Sequence, residues 1–207
     1  MNQDTHLRDL SEIRSLMERS SLFLSLSGLS GIFAGVFALI GAFVAYRFME
    51  GHPESLSSPK SQQGSSFYTF FAVDFGLVLL ASLAGAVVMS VRGARKKGLQ
   101  VWDNTSRRML VNLFIPLGAG GLFCGILLLH APQLIAAATL IFYGLSLLNA
   151  SKYTLPDMRT LGLMEIVLGL LCGFFAGSVN SLLFWSLCFG VLHIVYGAVL
   201  YNKYERV

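Results

Sequence analysis

The sequence predicts an all-α, polytopic membrane protein: six transmembrane helices arranged as three helical hairpins, with both termini cytoplasmic. Three observations carry that prediction. The charged fraction is too small to clothe a water-soluble globule, six apolar runs are long enough to cross a bilayer, and Lys and Arg gather on one side of those runs. Of 207 residues, 55% are hydrophobic and 13% are charged, with a mean hydropathy of +0.67. A soluble domain carries about 25% charged residues, so lipid must face much of this surface. The formal charge is +4, but the basic residues cap apolar runs instead of forming a patch, which argues for a membrane surface as partner and against nucleic acid.

Runs of about 17–25 apolar residues read as spans. They fall at about 21–47, 67–91, 109–130, 132–149, 158–177 and 181–201, so the chain divides into a cytoplasmic segment, 1–20, and a six-helix domain, 21–207. The first run is too long for a signal-peptide core and ends in no A-x-A site. Cationic residues set the orientation. Arg8, Arg14, Arg19, Arg92, Arg95, Lys96, Lys97, Arg107, Arg108, Lys152, Arg159, Lys203 and Arg206 fall on one side, and Arg47 and Lys60 on the other. Thirteen against two places both termini on the cytoplasmic side.

The connections are uneven. The first outward loop, 48–66, is rich in Ser, Pro and Gln and reads as irregular, whereas the turns at "HAP" and "GSVN" are tight. Residues 5–20 form an amphipathic helix with Asp4 or Thr5 as N-cap. Leu7, Leu10, Ile13, Leu16 and Met17 share one side, suited to lying along headgroups, docking on the bundle or meeting a partner. In the inner loop, Arg92, Arg95, Lys96, Lys97, Arg107 and Arg108 sit among anionic lipid headgroups, Trp102 is an interfacial anchor, and Asp103, Asn104 or Thr105 caps the third span. Pro116, followed by Gly118, Gly120 and Gly121, marks a place where that span can kink.

Small residues supply the expected packing. Gly28, Gly31, Gly35, Ala38, Ala42 and Ala45 recur at steps of three and four along the first span, a groove that admits another backbone. The pairs Gly31/Gly35, Gly121/Gly125, Gly169/Gly173 and Gly173/Gly177 all lie in odd-numbered spans, which suggests a glycine face and a homo-oligomer. "GLFCG" and "GLLCG" echo each other, as do "YGLSLLNASKY" and "YGAVLYNKY", so the last two hairpins read as diverged copies. Cys124, Cys172 and Cys188 all fall inside apolar runs, where packing explains them better than a disulfide or metal.

Ionisable residues inside spans are functional candidates. Asp74 lies in the outer half of the second span, lining a vestibule or capping a neighbouring helix. Glu165 and His193 lie fourteen residues either side of residue 179, so a hairpin brings them level, about 10–13 Å inside the cytoplasmic boundary at 1.5 Å per residue. With Tyr196 and Tyr143 they form a predicted buried polar cluster. A carboxylate beside an imidazole can share a proton, burial favouring the neutral forms and mutual attraction the charged pair. The cluster reads first as a hydrogen-bonded clasp between two helices and alternatively as a proton-linked switch. No second His or Cys reaches that depth at ligand spacing, so no metal and no cofactor is expected.

No phosphate-binding, dinucleotide, zinc-protease, nucleophile-elbow or CxxC motif occurs, and catalysis is the weaker expectation. "IRSLMERSS", "SLSGLSG", "WDNTSRR", "LIFYGLSLLNASKYT" and "FGVLHIVYG" together resemble a family of uncharacterised six-span bacterial inner-membrane proteins, along nearly the whole chain. The resemblance implies a cytoplasmic-membrane protein and lends no activity or site residue. The residues themselves favour a small transport or permeation protein, proton-responsive through Glu165 and His193. The alternative is a non-transporting scaffold or sensor subunit, using its N-terminal helix and basic inner loop to contact a partner or lipid.

Overall fold

The computed structural model describes residues 28–52, 62–96, 102–176 and 179–206. The predicted amphipathic segment 5–20, the start of the first span, residues 53–61 of the first outward loop, Lys97 and Gly177 lie outside them. Among the described residues the chain is helical throughout, with no strand. The elements are α1 (Gly28–Gly51), α2 (Gln62–Lys96), α3 (Asn104–His130), α4 (Ile135–Ala150), α5 (Asp157–Phe174) and a sixth rod, α6 (179–204). The last is α-helical at Val179–Trp185, π-helical at Ser186–Leu192 and α-helical again at His193–Tyr204.

Five helices are long and apolar enough to cross a membrane: Gly28–Gly51, Thr69–Lys96, Asn104–His130, Pro132–Tyr153 and Ser181–Tyr204. The sequence predicts six. The exception is α5, whose 18 residues hold Asp157, Arg159 and Glu165. Each charge is costly at hydrocarbon depth, and so short a helix cannot dilute three of them.

Local chemistry fixes the third helix. Asp103 accepts a hydrogen bond from the Ser106 backbone at 2.6 Å, and the Ser106 hydroxyl accepts from the Asp103 backbone at 2.9 Å. This reciprocal cap satisfies donors that every helix start leaves orphaned. Further along, α3 runs on through Pro116, which has no N–H for the Asn112 carbonyl one turn back. The Asn149 side-chain amide of α4 donates to that carbonyl at 2.9 Å. A neighbouring helix therefore repairs the break and locks α3 to α4.

Glycines then decide which helices touch. A β-carbon on Gly197 of α6 would stand 2.6 Å from both the Gly28 carbonyl oxygen and the Ile32 nitrogen of α1. One on Gly35 would stand 2.5 Å from the Gly190 carbonyl oxygen, and one on Gly31 3.1 Å from the Gly197 Cα. The second seam joins α4 to α5: a β-carbon on Gly144 would stand 2.6 Å from the Gly162 carbonyl oxygen, one on Gly162 2.7 Å from the Gly144 carbonyl oxygen, and one on Gly169 2.9 Å from Leu140 and Ile141 side-chain atoms. Backbones approach this closely only where no side chain intervenes. Past the seam, Ala38, Ala42 and Ala45 of α1 join Ala137, Leu140, Cys172, Leu182, Trp185 and Cys188 in the core.

This arrangement corrects two expectations. The fifth and sixth helices are not chiefly each other's partners: α5 lies along α4, while α6 lies along α1, because the α6 glycines Gly190 and Gly197 meet α1 rather than α5. Second, a β-carbon on Gly121 or Gly125 would meet nothing within 4 Å among the described residues, and one on Gly173 would make only an ordinary contact with Ala137 at 3.7 Å. The α3 pair therefore packs against none of the described residues. None of the apolar window of α2 is buried and 11% of that of α3, against 39% for α1, so α2 and α3 present apolar flanks outward. Leu122 and Leu129 stand 78% and 80% exposed, a surface that suits lipid and not water.

Thermal unfolding in detergent separates the two kinds of glycine. Gly144→Leu or Gly197→Leu should lower stability by roughly 1–3 kcal/mol or more, the usual cost of overpacking, while Gly121→Leu should change that of the dissociated single chain by less than about 0.5 kcal/mol. The reverse ranking would contradict these seams.

Candidate functional site

Three helices contribute one polar group each to a single level of the bundle. Tyr143 comes from α4, one residue before the Gly144–Gly162 crossing. Glu165 comes from α5, between Gly162 and Gly169. His193 comes from α6, where the π-helical segment returns to α-helix. His193 Nδ1 lies 2.9 Å from the Cys188 carbonyl oxygen, and Nε2 lies 2.9 Å from the Tyr143 hydroxyl. A carbonyl only accepts, so Nδ1 carries the hydrogen, and in the neutral ring Nε2 accepts from the tyrosine. Widened π turns recur at functional sites. Here the ring folds back to a carbonyl five residues earlier, inside that widened stretch.

Glu165 stands apart from this tie. Its side chain is 0% exposed, and its Oε1 lies 3.4 Å from His193 Nδ1, whose hydrogen already points at the nearer Cys188 oxygen. Neither carboxyl oxygen of Glu165 has a hydrogen-bond partner among the described residues. A buried polar group in that condition costs free energy in proportion to its charge. The Cys188 thiol and the Tyr143 phenol are the other titratable groups that feel this carboxyl. The sequence predicts both Tyr143 and Tyr196 in the cluster, and of the two only Tyr143 is hydrogen-bonded to His193. Tyr196 is half-buried one turn beyond His193, three residues round the helix, and no hydrogen bond joins it to either group.

Aromatic rings continue from the cluster toward the end of the bundle where α1 finishes. Phe189 lies 5.0 Å from Tyr143 and 5.7 Å from His193, Trp185 5.0 Å from Phe189, and Phe75 4.6 Å from Trp185. Phe71 follows at 5.5 Å. Sequence reasoning misses this file, because its rings come from α2, α4 and α6 and each reads as ordinary core in its own span. Asp74 is near the file on α2. Its Oδ2 is buried without a hydrogen-bond partner, 3.6 Å from where a β-carbon on Gly41 would stand. It therefore faces α1 and caps no described helix end.

A second polar group ties the opposite end. Asp157, at the start of α5, accepts from Lys203 Nζ at 3.0 Å and from the Tyr204 hydroxyl at 2.8 Å. Partial burial pushes its carboxyl up, but the two donors outweigh that and hold it below the usual carboxylate range. A depressed carboxylate stabilises fully above its unfolded value and loses that contribution only as pH falls through its lowered one, so this tie survives mild acid. The Gly28 N–H at the start of α1 donates to the Glu205 carboxylate. Arg92, Arg95, Lys96, Trp102, Arg107 and Arg108 are all exposed, and Arg107 and Arg108 border an open hollow of about 370 Å³ with Asn104, Val111 and Asn112.

Fold and site together define a class: among the described residues, an all-helical protein, consistent with a membrane location, that encloses a carboxyl with no hydrogen-bond partner beside a tyrosine–histidine tie. No family model, curated protein or solved structure matches the chain. Among the described residues, no three His, Cys, Asp or Glu side chains gather as metal ligands would.

Two variants divide the cluster into tie and carboxyl. Tyr143→Phe removes the donor to a buried imidazole and should lower stability by about 1–3 kcal/mol. Glu165→Gln, which loses no hydrogen bond, should leave the melting temperature level or raise it. A larger loss from Glu165→Gln than from Tyr143→Phe would make the carboxyl part of the clasp.

Proposed function

We propose that this protein is a small transport or permeation protein of a bacterial inner membrane, with six crossings, both termini cytoplasmic, and proton-responsive through Glu165 and His193. The observation that carries the reading is the division of labour in the cluster. A purely structural clasp needs its polar groups paired. Tyr143, His193 and the Cys188 carbonyl already make that pairing between α4 and α6, while Glu165 is buried and left out. Retaining a costly ionisable group that makes no hydrogen bond among the described residues fits a role in moving charge. The imidazole beside it can exchange a proton with it, and the π-helical stretch that bears the Cys188 carbonyl offers a backbone able to adjust as the proton moves.

Two contacts complete the proposal. The exposed cationic edge at Arg92, Arg95, Lys96, Arg107 and Arg108, with Trp102, meets anionic lipid headgroups. The open Gly121/Gly125 face of α3 takes a second copy of the chain, closing a homo-oligomer.

Reconstituted vesicles with an entrapped pH-sensitive dye test the central reading. Wild-type protein should carry a proton flux under an imposed potential, rising with acidity through a range in which the Asp157 tie stays ionised. Glu165→Gln, still folded, should abolish it. Flux equal in wild type and Glu165→Gln, or absent from both, would overturn the reading. A protein that co-purifies with wild type and is lost on deletion of residues 1–20, in that last case, would instead favour a scaffold.

A further inference from the structure

The start of α3 and the end of α4 gather cations that have no counter-ion among the described residues. Arg107 and Arg108 border the open hollow of about 370 Å³, with Asn104, Val111 and Asn112. We infer that this hollow is a discrete binding site for the phosphate group of an anionic phospholipid. The inference rests on the headgroup contact proposed above and narrows it from a general attraction to one site that holds one lipid.

Two elements build the cluster. Arg107 and Arg108 lie in the opening turns of α3, and Lys152 lies just past the end of α4, in the short turn Ser151–Tyr153. The Asn149 side-chain amide donates to the Asn112 carbonyl at 2.9 Å, and Lys152 Nζ stands 3.5 Å from Asn149 Oδ1. The tie that repairs the Pro116 break thus links a third cation, through Asn149, to a residue of the hollow. None of the three makes an ion pair among the described residues. Asp103, the acid nearest to the arginines in sequence, is turned to the Ser106 backbone as the helix cap. Adjacent like charges repel, and a bound anion relieves that repulsion. Phosphate suits this set. A guanidinium presents a planar fork that matches two phosphate oxygens at once, and such charge-assisted pairs are among the strong hydrogen bonds. Asn104 adds a neutral amide at the rim.

The apolar side of the hollow favours a lipid over a soluble phosphate. Arg107, Val111 and Ile115 follow one another at steps of four, the spacing that stacks side chains along one helix face. Val111 is 51% exposed and Ile115 64%, and both belong to a helix long and apolar enough to cross a membrane. Charge at the helix start, with bare apolar surface one and two turns further on, matches the two ends of a phospholipid: the phosphate in the hollow and an acyl chain along Val111 and Ile115. Basic side chains at the edge of a span are where anionic headgroups gather. Trp102, 69% exposed just before α3, is the kind of side chain that settles at headgroup level. Because Asn112 both borders the hollow and receives the Asn149 amide, an occupied hollow also braces α3 against α4.

Native mass spectrometry of the full chain in detergent tests this, with phosphatidylglycerol, phosphatidylcholine of the same tails and inorganic phosphate as probes. Wild-type protein should keep one phosphatidylglycerol per chain and no phosphatidylcholine, and should melt at a higher temperature with the anionic lipid present. Inorganic phosphate should not displace the lipid. Arg107→Gln combined with Arg108→Gln, checked for folding by its melting temperature without lipid, should weaken retention about tenfold or more. Arg107→Lys combined with Arg108→Lys keeps both charges but loses both forks, and should not restore it. Equal retention of the two lipids, undiminished retention by the Arg→Gln pair, full retention by the Arg→Lys pair, or displacement by inorganic phosphate would each overturn the inference. Several phosphatidylglycerols held alike by wild type and the Arg→Lys pair would sink the discrete site and leave the general headgroup contact standing. No anionic lipid held at all would sink both.

Discussion

Helices surrounded by hydrocarbon gain nothing by hiding apolar side chains from one another, since lipid tails are as apolar as leucine. What remains is close contact, and close contact between helices is decided by where the backbone is bare. In this protein Gly28, Gly31 and Gly35 against Gly190 and Gly197, and Gly144 against Gly162, are those places. Everything else about the arrangement follows from the two seams. They draw α6 onto α1 and α5 onto α4, and leave α2 and α3 at the flanks with their apolar surfaces outward.

The same seams set the geometry of the polar cluster. Tyr143 precedes one half of the α4–α5 crossing, and Glu165 sits within a turn of the other half. His193 lies one turn from Gly197, at the α1–α6 crossing. Each group is thus held by a rigid backbone contact close by, so a phenol, an imidazole and a carboxyl from three helices meet without a loop to carry them. The sealing works through residues of different size. Alanines of α1 and the fully buried Cys172 and Cys188 belong to one packed core, and Trp185 and Phe189 stack on each other beside it. The cost of an unpaired buried carboxyl is borne by that surrounding packing.

Much of this was written in the sequence in a form physics can read. Period-three and period-four spacing of glycine marked which faces pack, and equal distances from the turn at residue 179 put Glu165 and His193 at one level. What the sequence left undecided was the partner of each glycine face. Any helix with a bare stripe can dock on any other, so nothing local says that Gly197 meets Gly28 instead of a glycine of α5, or that Gly121 and Gly125 meet nothing. Tyr143 and Tyr196 occupy matching places in the two echoed motifs, and only the placement of α4 against α5 and α6 selects the first. Asn149 is similar: its role appears once α3 is alongside, with Pro116 leaving a carbonyl free. The Glu165 result differs in kind, because the sequence offered the acid and its neighbour but could not say that the imidazole would turn its hydrogen elsewhere.

The most direct measurement of the whole account is oxidative cross-linking of paired cysteines in a cysteine-free background. One pair would flank the Gly31–Gly197 crossing of α1 with α6, at Ile32 and Ile194, and one the Gly144–Gly162 crossing of α4 with α5, at Leu148 and Ile166. Backbone contact at both seams predicts that both pairs link readily in native membranes, while cysteines set on Gly121 and on the outward face of α2 at Leu80 do not link within one chain. Failure of the α1–α6 pair to link, with the α4–α5 pair still linking, would contradict the seam on which the position of His193 depends.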